Sequence, residues 1–139
     1  MDPFSVLLVD DEVEYLNTLV KRIKKRGIDV RSAGSAEEAI RLLEQRPVDV
    51  VVMDVKMPGM GGIEALKEIK RKHPLTEVIM LTGHANVDVA MEGMRLGAFD
   101  YLMKPLEIDE LLYKLEDAHK KRSIELAKIK RGEADQAER

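Results

Sequence analysis

Five short strand-like segments, each followed by a segment with helical periodicity, are the feature of this sequence that most limits its possible folds. The runs Ser5 to Val9 and Val48 to Met53 are almost wholly apolar, which is typical of parallel strands buried on both faces. Three weaker strand predictions cover residues 28–31, 77–81 and 99–103. The predicted strand ends lie, by subtraction of residue numbers, 22, 22, 28 and 22 residues apart, near Asp10, Ser32, Asp54, Thr82 and Lys104.

Apolar residues at steps of three and four predict helices between these strands. The first stripe is Val13, Leu16, Val20 and Ile23, and similar stripes follow in residues 36–43 and 63–69. Ser35 and Glu38 have the spacing of a capping box, so the second helix is predicted to begin there and to close at Pro47. The remaining helix predictions are residues 86–96, ended by Gly97, and residue 108 onward.

Strands that alternate with helices through right-handed crossovers form a parallel sheet covered on both faces. Five units are too few for an eight-stranded barrel. The sequence therefore predicts an α/β fold of the (βα)5 doubly wound class. In such folds ligands bind beyond the carboxyl ends of the strands.

The composition excludes several classes of protein. Hydrophobic residues make up 45% and charged residues 35% of 139 residues, which is a globular balance and fits one domain. The net charge of −3 gives no basic surface for direct nucleic-acid binding, and no segment has the length and apolarity of a membrane span or the pattern of a signal peptide. With no Cys and three scattered His, a metal would have to bind through oxygen. We expect a cytoplasmic protein without a membrane partner.

Polar side chains follow four of the five predicted strands, namely Asp10, Asp11, Glu12, Asp54, Thr82 and Lys104. Each alone has a structural explanation as a helix cap, a turn hydroxyl or a solvated charge. Carboxylates gathered at one sheet edge repel one another unless a cation or a hydrogen-bond network compensates them. The first βα turn has no Gly to present N–H groups to pyrophosphate, and no Walker A pattern occurs. Hard oxygen ligands at a sheet edge suit Mg²⁺, which is typically held by one or two carboxylates together with phosphate oxygens, so these residues favour phosphoryl chemistry.

Four segments together closely resemble the receiver domain of two-component response regulators. They are Val6-Leu-Leu-Val-Asp-Asp-Glu12, Val50-Val-Val-Met-Asp-Val-Lys-Met-Pro-Gly-Met60, Met80-Leu-Thr-Gly-His84 and Gly97-Ala-Phe-Asp-Tyr-Leu-Met-Lys-Pro105. The resemblance covers about residues 5 to 118. The third and fourth segments are similar to receivers of nitrogen-regulatory and fixation-type regulators. The resemblance implies a flavodoxin-like three-layer sandwich with strand order 2-1-3-4-5.

The resemblance also implies roles for residues at the strand ends. Asp54 would be the phosphoacceptor for a sensor-kinase phosphohistidine, with Thr82 and Lys104 contacting the phosphoryl oxygens. The implied Mg²⁺ ligands are Asp10, Asp11, Asp54 and the main-chain carbonyl of Lys56. A cis peptide is expected at Lys104-Pro105. Such a domain is a phosphoacceptor switch that catalyses only its own phosphorylation and dephosphorylation, rather than an enzyme acting on a separate substrate.

The implied switch couples Thr82 to the aromatic Tyr101 and alters the surface of the fourth helix, fifth strand and fifth helix. Met91 and Met94 on the fourth helix would be either an adaptable contact surface or core residues. Lys56 and His84 flank the phosphoryl site at variable positions of the family and are candidates for setting the phosphoryl lifetime; a plain surface role for Lys56 stays open. Gly61-Gly62 is expected to loosen the following loop or to allow a positive φ.

The last part of the chain is predicted to extend the fifth helix. We assign residues 1–118 to the receiver domain and residues 119–139 to a helical extension with a polar tail. Heptad-like spacing, with Gly132 predicted to end it, runs through Leu112, Leu115, His119, Arg122, Leu126 and Ile129. The extension is either a dimerising or signalling helix or a solvated charged tail.

The expected partners are a sensor histidine kinase or a histidine phosphotransfer protein, together with an output domain or effector protein. The oligomeric state stays open, and a homodimer would use either the fourth helix, fifth strand and fifth helix or the last helix. Two other functions stay open on the residues alone. One is a Mg²⁺-dependent phosphohydrolase, although its Asp-x-Asp motif on the first strand is missing, and the other is a degenerate receiver that acts only as an interaction module.

Overall fold

Five strands alternate with five helices in the computed structural model, which describes residues 3–83 and 86–137. The strands are β1 (Ser5–Val9), β2 (Asp29–Ala33), β3 (Val50–Asp54), β4 (Glu77–Thr82) and β5 (Asp100–Met103). The helices are α1 (Val13–Lys24), α2 (Ala36–Gln45), α3 (Gly62–Lys72), α4 (Val87–Arg95) and α5 (Ile108–Ala137). Within these described ranges no helix is both long and apolar enough to cross a membrane.

The strands form one parallel sheet in the order β2-β1-β3-β4-β5, which confirms the predicted doubly wound (βα)5 architecture. Every residue of β3 is buried because this strand lies in the middle of the sheet with helices on both faces. All five carboxyl ends therefore meet at one edge.

Alternating residues of each strand supply two separate cores, one on each face of the sheet. Leu7 and Val9 pack on one face with residues of α2, α3 and α4, whereas Val6 and Leu8 pack on the other face with residues of α1 and α5. This alternation follows from the two-residue period of a strand. Packing of the sheet between these two cores places the residues at its carboxyl edge.

The start of α2 agrees with the predicted capping pattern. The Ser35 hydroxyl oxygen accepts a hydrogen bond of 3.1 Å from the backbone N–H of Glu38. The Glu38 carboxylate accepts a bond of 3.0 Å from the N–H of Gly34, one residue before the N-cap. The Glu38 N–H, which the helix itself leaves unpaired, and the Gly34 N–H just before the helix are thus both satisfied.

Two predicted strands are displaced by one or two residues. The predicted strand at 28–31 is found at Asp29–Ala33, and the predicted strand at 48–53 is found at Val50–Asp54. Apolar character begins before each ladder, because Ile28 and Val48 already pack into the cores as the chain enters the sheet. Pairing with β1, rather than hydrophobicity, fixes where the strands begin.

The prediction that Gly132 ends the last helix is wrong, because α5 continues without interruption to Ala137. Gly132 has no positive φ, and its neighbours are charged residues with good helix propensity. One Gly in a helix costs about 1 kcal/mol relative to Ala, which such neighbours can offset.

The first half of the predicted heptad stripe packs against the rest of the fold. Leu115 is fully buried in the core, and the ring of His119 stacks on Phe4 with ring centroids 4.6 Å apart. The Arg122 guanidinium lies 2.7 Å from the Asp49 carboxylate, just before β3. Only the part of the stripe that includes Ile129 is exposed.

An ion pair between Lys121 and Glu77 attaches α5 to the amino-terminal edge of the sheet. The Glu77 side chain is 3% exposed, and its two carboxylate oxygens each accept a bond of 3.1 Å from the Lys121 ammonium. We expect Lys121→Met to lower the free energy of unfolding by about 1 to 2 kcal/mol, because it leaves a buried carboxylate without its donor. Urea denaturation measures this loss.

The matched control is Lys120→Met, which changes an exposed residue of the same helix and is expected to stay within about 0.5 kcal/mol of the unsubstituted chain. Adding Glu77→Gln to Lys121→Met removes the uncompensated charge and should recover part of the loss. Equal effects of the two Lys substitutions would show that the ion pair does not stabilise the fold.

Candidate functional site

The carboxyl edge of the sheet brings together side chains from distant parts of the chain. Asp10 follows β1, Asp54 ends β3, Thr82 ends β4 and Lys104 follows β5. The hydrogen bond from Lys104 N–H to the Thr82 carbonyl, at 2.8 Å, continues the sheet pairing past β5 and fixes the Lys104 backbone. The sequence predicts that these four residues share one edge of the sheet, and the structure confirms this placement.

Three carboxylates form the acidic part of the site. Asp10, Glu12 and Asp54 each place one carboxylate oxygen within 4.8 Å of the others. Asp10 and Asp54 are 1% and 8% exposed, whereas the side chain of Glu12 faces solvent. A cleft of about 570 Å³ opens beside this group, with Asp11, Lys56 and Gly83 among the residues that line it. The site is therefore open to a small anion or to another protein's side chain.

Lys104 compensates the buried carboxylates. Its ammonium lies 2.7 Å from Asp10, 3.2 Å from Asp54 and 3.5 Å from Glu12. Burial lowers the pKa of Lys104, but hydrogen bonds and attraction from Asp10 and Asp54 outweigh this effect and raise its pKa above the ordinary value. The ammonium is therefore charged at every physiological pH, and the fold tolerates two buried acids at one edge.

Asp54 receives a hydrogen bond on each carboxylate oxygen. The Lys56 backbone N–H donates to Oδ1 at 3.1 Å, and the Lys104 ammonium donates to Oδ2 at 3.2 Å. Burial raises the pKa of Asp54, although these two bonds and the charge of Lys104 act in the opposite direction. The Asp54 carboxylate is thus oriented by the loop that follows β3 and by the Lys104 side chain, which follows the edge strand β5.

Asp10 has a structural role as well as a place in the acidic group. Its Oδ1 accepts a bond of 2.9 Å from the backbone N–H of Glu12, and its Oδ2 accepts the bond from Lys104. Asp11 is exposed and lines the cleft but lies outside the three-carboxylate group. Glu12 is the third member of the group instead. The turn held by Asp10 directs the Glu12 side chain toward Lys104.

Gly61 and Gly62 lie where the loop after β3 passes into α3, and the sequence predicts either a looser loop or a positive φ there. Neither residue has a positive φ; the positive φ of 76° is at Gly59. The backbone N–H of Met60 is held by a 2.8 Å bond to the Glu37 carboxylate. At Gly62 an added Cβ would meet the Asp54 carbonyl oxygen at 2.7 Å, so close packing against β3, not a positive φ, requires Gly there.

The two residues expected to act as a switch occupy neighbouring strands. Thr82 is fully buried, and its hydroxyl donates a 3.0 Å bond to the Gly83 carbonyl. Tyr101 is half-buried against the core that includes Ala90 of α4. The Lys104-Pro105 peptide is cis, as expected. His84, which the sequence predicts to affect the phosphoryl lifetime, lies outside the described residues.

Met91 and Met94 are exposed on α4. Their exposed fractions are 47% and 37%, and the buried residues of this helix are Ala90 and Gly93 instead. The core interpretation of the two Met side chains is therefore wrong. They form an apolar surface on the helix next to β4 and β5.

Tyr15, which is not among the site residues predicted from the sequence, contacts the site from α1. The centroid of its ring lies 4.8 Å from the Lys104 ammonium. Tyr15 stands four residues after Asp11, a spacing that places it one helical turn from the acidic loop. That spacing is the sequence signal by which Tyr15 could have been placed at the site.

The buried acids and the paired Lys lie at the carboxyl edge of a doubly wound sheet, where such folds place their ligand sites. A sequence model of the response regulator receiver domain matches residues 6–116, and the chain belongs to this family. Members of the family are phosphoacceptor switches.

Curated relatives are longer regulators. An NtrX-like response regulator of Rickettsia bellii is 34% identical over 97% of this chain and 28% of the relative. The regulatory protein AtoC of Escherichia coli is 41% identical over 76% of this chain and 23% of the relative. The chain thus spans about a quarter of the length of the curated relatives it matches.

Solved receiver domains have the same fold. The receiver domain of NtrX from Brucella abortus is 32% identical, with a TM-score of 0.79 over 83% of this chain and 98% of that one. A response regulator receiver domain protein from Clostridium thermocellum is 34% identical, with a TM-score of 0.84 over 87% of this chain and 98% of that one. The similarity to NtrX agrees with the nitrogen-regulatory resemblance of the sequence.

Proposed function

We propose that Asp54 accepts a phosphoryl group from the phosphohistidine of a sensor kinase or a histidine phosphotransfer protein. The observation that carries this proposal is the position of its carboxylate, which lies at the cleft between the Lys56 N–H and the Lys104 ammonium. Charge-assisted bonds of this kind fix the orientation of a carboxylate. An oriented carboxylate at an open cleft is suited to attack on phosphorus.

In the proposed reaction an Asp54 oxygen forms the new O–P bond as the N–P bond of the phosphohistidine breaks. The imidazole nitrogen keeps the bonding electron pair, and Asp54 becomes an aspartyl phosphate. Lys104 would turn its ammonium toward the phosphoryl oxygens, and Thr82 would donate its hydroxyl to one of them. The protein contributes chiefly position and electrostatic stabilisation, as phosphoryl transfer requires.

The donor set fits a hard divalent cation. Asp10 and Asp54 supply carboxylate oxygens, Asp11 lies at the same cleft, and Glu12 adds a third grouped carboxylate. Mg²⁺ prefers oxygen ligands and binds through one or two carboxylates with retained waters. We assign Asp10, Asp11, Asp54 and the Lys56 carbonyl as the residues that would hold Mg²⁺. The bound ion would supply positive charge to the phosphoryl oxygens during transfer.

The direct test is incubation with acetyl phosphate, followed by intact-mass measurement, with Mg²⁺ and with excess chelator. We expect the mass of one phosphoryl group to be added in Mg²⁺ and none in chelator. No uptake under any condition would favour an interaction module, and continued turnover of small phosphate esters would favour a phosphohydrolase. Either result would reject the proposal.

The proposed output is a change at the α4-β5-α5 surface. Movement of Thr82 toward the phosphoryl group would free space that Tyr101 can enter, since Tyr101 packs with Ala90 of α4 and Thr82 lies on β4, the strand paired with β5. The exposed Met91 and Met94 would then be presented differently to an effector. The unphosphorylated and phosphorylated states would therefore differ in packing at the α4-β5-α5 surface, and an effector could bind one of them in preference to the other.

We propose that Lys56 prolongs the life of the aspartyl phosphate by covering Asp54 against water. Its side chain is exposed and lines the cleft next to Asp54. Lys56→Ala is expected to shorten the phosphoryl half-life severalfold, because it removes the group that obstructs the hydrolytic water. Decay of the phosphorylated mass over time measures this change, and an unchanged half-life rejects the role.

Lys67→Ala is the matched control, since Lys67 is exposed on α3 away from the cleft. His84 is the second candidate for control of the aspartyl phosphate lifetime, because it stands two residues after Thr82 in the sequence.

We propose that this receiver, residues 1–118 with the helical extension 119–139, works as part of a larger regulator or with an effector protein. The greater length of the curated relatives supports this arrangement. A homodimer would form through the α4-β5-α5 surface or through the exposed part of α5. The signalling interpretation of the extension is favoured because its first turns are tied to the sheet by Lys121 and Arg122.

A further inference from the structure

The aromatic ring of Tyr15 forms one side of the space that holds the Lys104 ammonium. The ring centroid lies 4.8 Å from Nζ, within the range of a cation–π interaction. The carboxylates of Asp10 and Asp54 lie 2.7 Å and 3.2 Å from the same nitrogen. The Lys104 side chain is thus restricted by these two buried carboxylates, by the exposed Glu12 carboxylate at 3.5 Å and by one aromatic face, and it is 19% exposed.

We propose that Tyr15 is a positioning residue for phosphorylation, which acts by holding the Lys104 ammonium at the Asp54 carboxylate. The proposal rests on the function assigned above to Asp54 and Lys104. Lysine has a long flexible side chain, and an ammonium without a neighbouring aromatic face can leave the site for water. By occupying that side, the ring keeps the cation where charge develops on the phosphoryl oxygens.

The ring, and not the hydroxyl, provides this contact. Among the described residues the Tyr15 hydroxyl oxygen has no hydrogen-bond partner, although it is buried. The ring also packs against the core formed by α1 and α5. Burial raises the pKa of the phenol, so it is neutral near pH 7 and adds no charge of its own. Tyr15→Phe should therefore keep the function.

A series of rings at position 15 separates electrostatic positioning from simple packing. Tyr15→Phe keeps the π face, whereas a phenylalanine with a fluorinated ring keeps the shape and withdraws electron density from that face. We expect the rate of phosphorylation by acetyl phosphate to be within about twofold of the unsubstituted chain for Tyr15→Phe, and about three- to tenfold lower for the fluorinated ring. Tyr15→Leu should lose at least as much.

A second measurement reports the contact without any reaction. In metal-free protein the ring current of Tyr15 should shift the ε-methylene protons of Lys104 upfield in the NMR spectrum. Tyr15→Phe should keep this shift and Tyr15→Leu should remove it.

Equal rates for the phenylalanine and its fluorinated form would overturn the proposal, as would a loss in Tyr15→Phe as large as that in Tyr15→Leu. An unshifted Lys104 signal in the unsubstituted chain would overturn it independently of activity. Failure of the unsubstituted chain to be phosphorylated would instead reject the proposed function of Asp54, and the inference with it.

Discussion

The Asp54→Asn variant is expected to lose phosphoryl uptake from acetyl phosphate by at least about 1,000-fold, the scale on which removal of a nucleophile acts. Asn has the shape of Asp but a neutral amide in place of the attacking carboxylate. Its single amide oxygen can accept one of the two bonds that the Lys56 N–H and the Lys104 ammonium donate to separate Asp54 oxygens, and its NH2 group cannot accept the other. Intact mass after incubation with Mg²⁺ measures the loss, and uptake equal to that of the unsubstituted chain would contradict the assignment.

Measuring the stability of the same variant distinguishes a loss of phosphoryl uptake from a loss of folding. Burial raises the pKa of Asp54, so the folded state binds this proton more tightly than the unfolded state does. The stabilising contribution of the carboxyl is therefore complete below its unfolded pKa of about 3.9, and it is lost as pH rises through the folded pKa.

In metal-free buffer at neutral pH we expect Asp54→Asn to melt at a higher temperature than the unsubstituted chain. The difference should shrink as pH falls toward the unfolded pKa. Lys104 keeps its 2.7 Å partner Asp10 in this variant, so its charge stays compensated. A variant that melts well below the unsubstituted chain at neutral pH would contradict this account of the site.

Lys104→Met is expected to slow phosphorylation by about 100- to 1,000-fold, the cost of removing one preorganised cation from developing oxygen charge. Met has a similar length and no charge, so the change removes the ammonium while filling the space. The time course of phosphorylated mass measures the rate. Lys128→Met, at an exposed position in the extension of α5, is the matched control and should leave the rate unchanged.

The same substitution should also lower the stability of the metal-free chain. Asp10 and Asp54 would be left buried without the cation that now lies between them. Added Mg²⁺ should restore more stability to Lys104→Met than to the unsubstituted chain, because the uncompensated carboxylates bind a cation more strongly. A normal rate in folded Lys104→Met would reject the role of the ammonium.

The fold could be predicted because its determinants are local and repeated. Five apolar runs at similar intervals, with helical stripes between them, leave few architectures other than a doubly wound sheet. Within that architecture the positions of Asp10, Asp54, Thr82 and Lys104 follow from the rule that parallel strands end at one edge.

Details that depend on packing could not be read from the chain. Gly132 resembles a helix end in the sequence, but its neighbours carry the helix past it. At Gly62 the reason for glycine is contact with the Asp54 carbonyl, which has no local signature. Glu12 and Tyr15 reach Lys104 only because of the path of the turn between β1 and α1, and strand-end reasoning says nothing about that path.

The assignment of Asp54 is tested most directly by locating the phosphoryl group. Borohydride reduces an acyl phosphate to an alcohol, so an aspartyl phosphate becomes homoserine, which peptide mass spectrometry can place in the sequence. After treatment with acetyl phosphate and Mg²⁺, we expect homoserine at position 54 and at no other Asp. Homoserine at Asp10 or Asp11, or none in a chain whose mass shows an added phosphoryl group, would contradict the account.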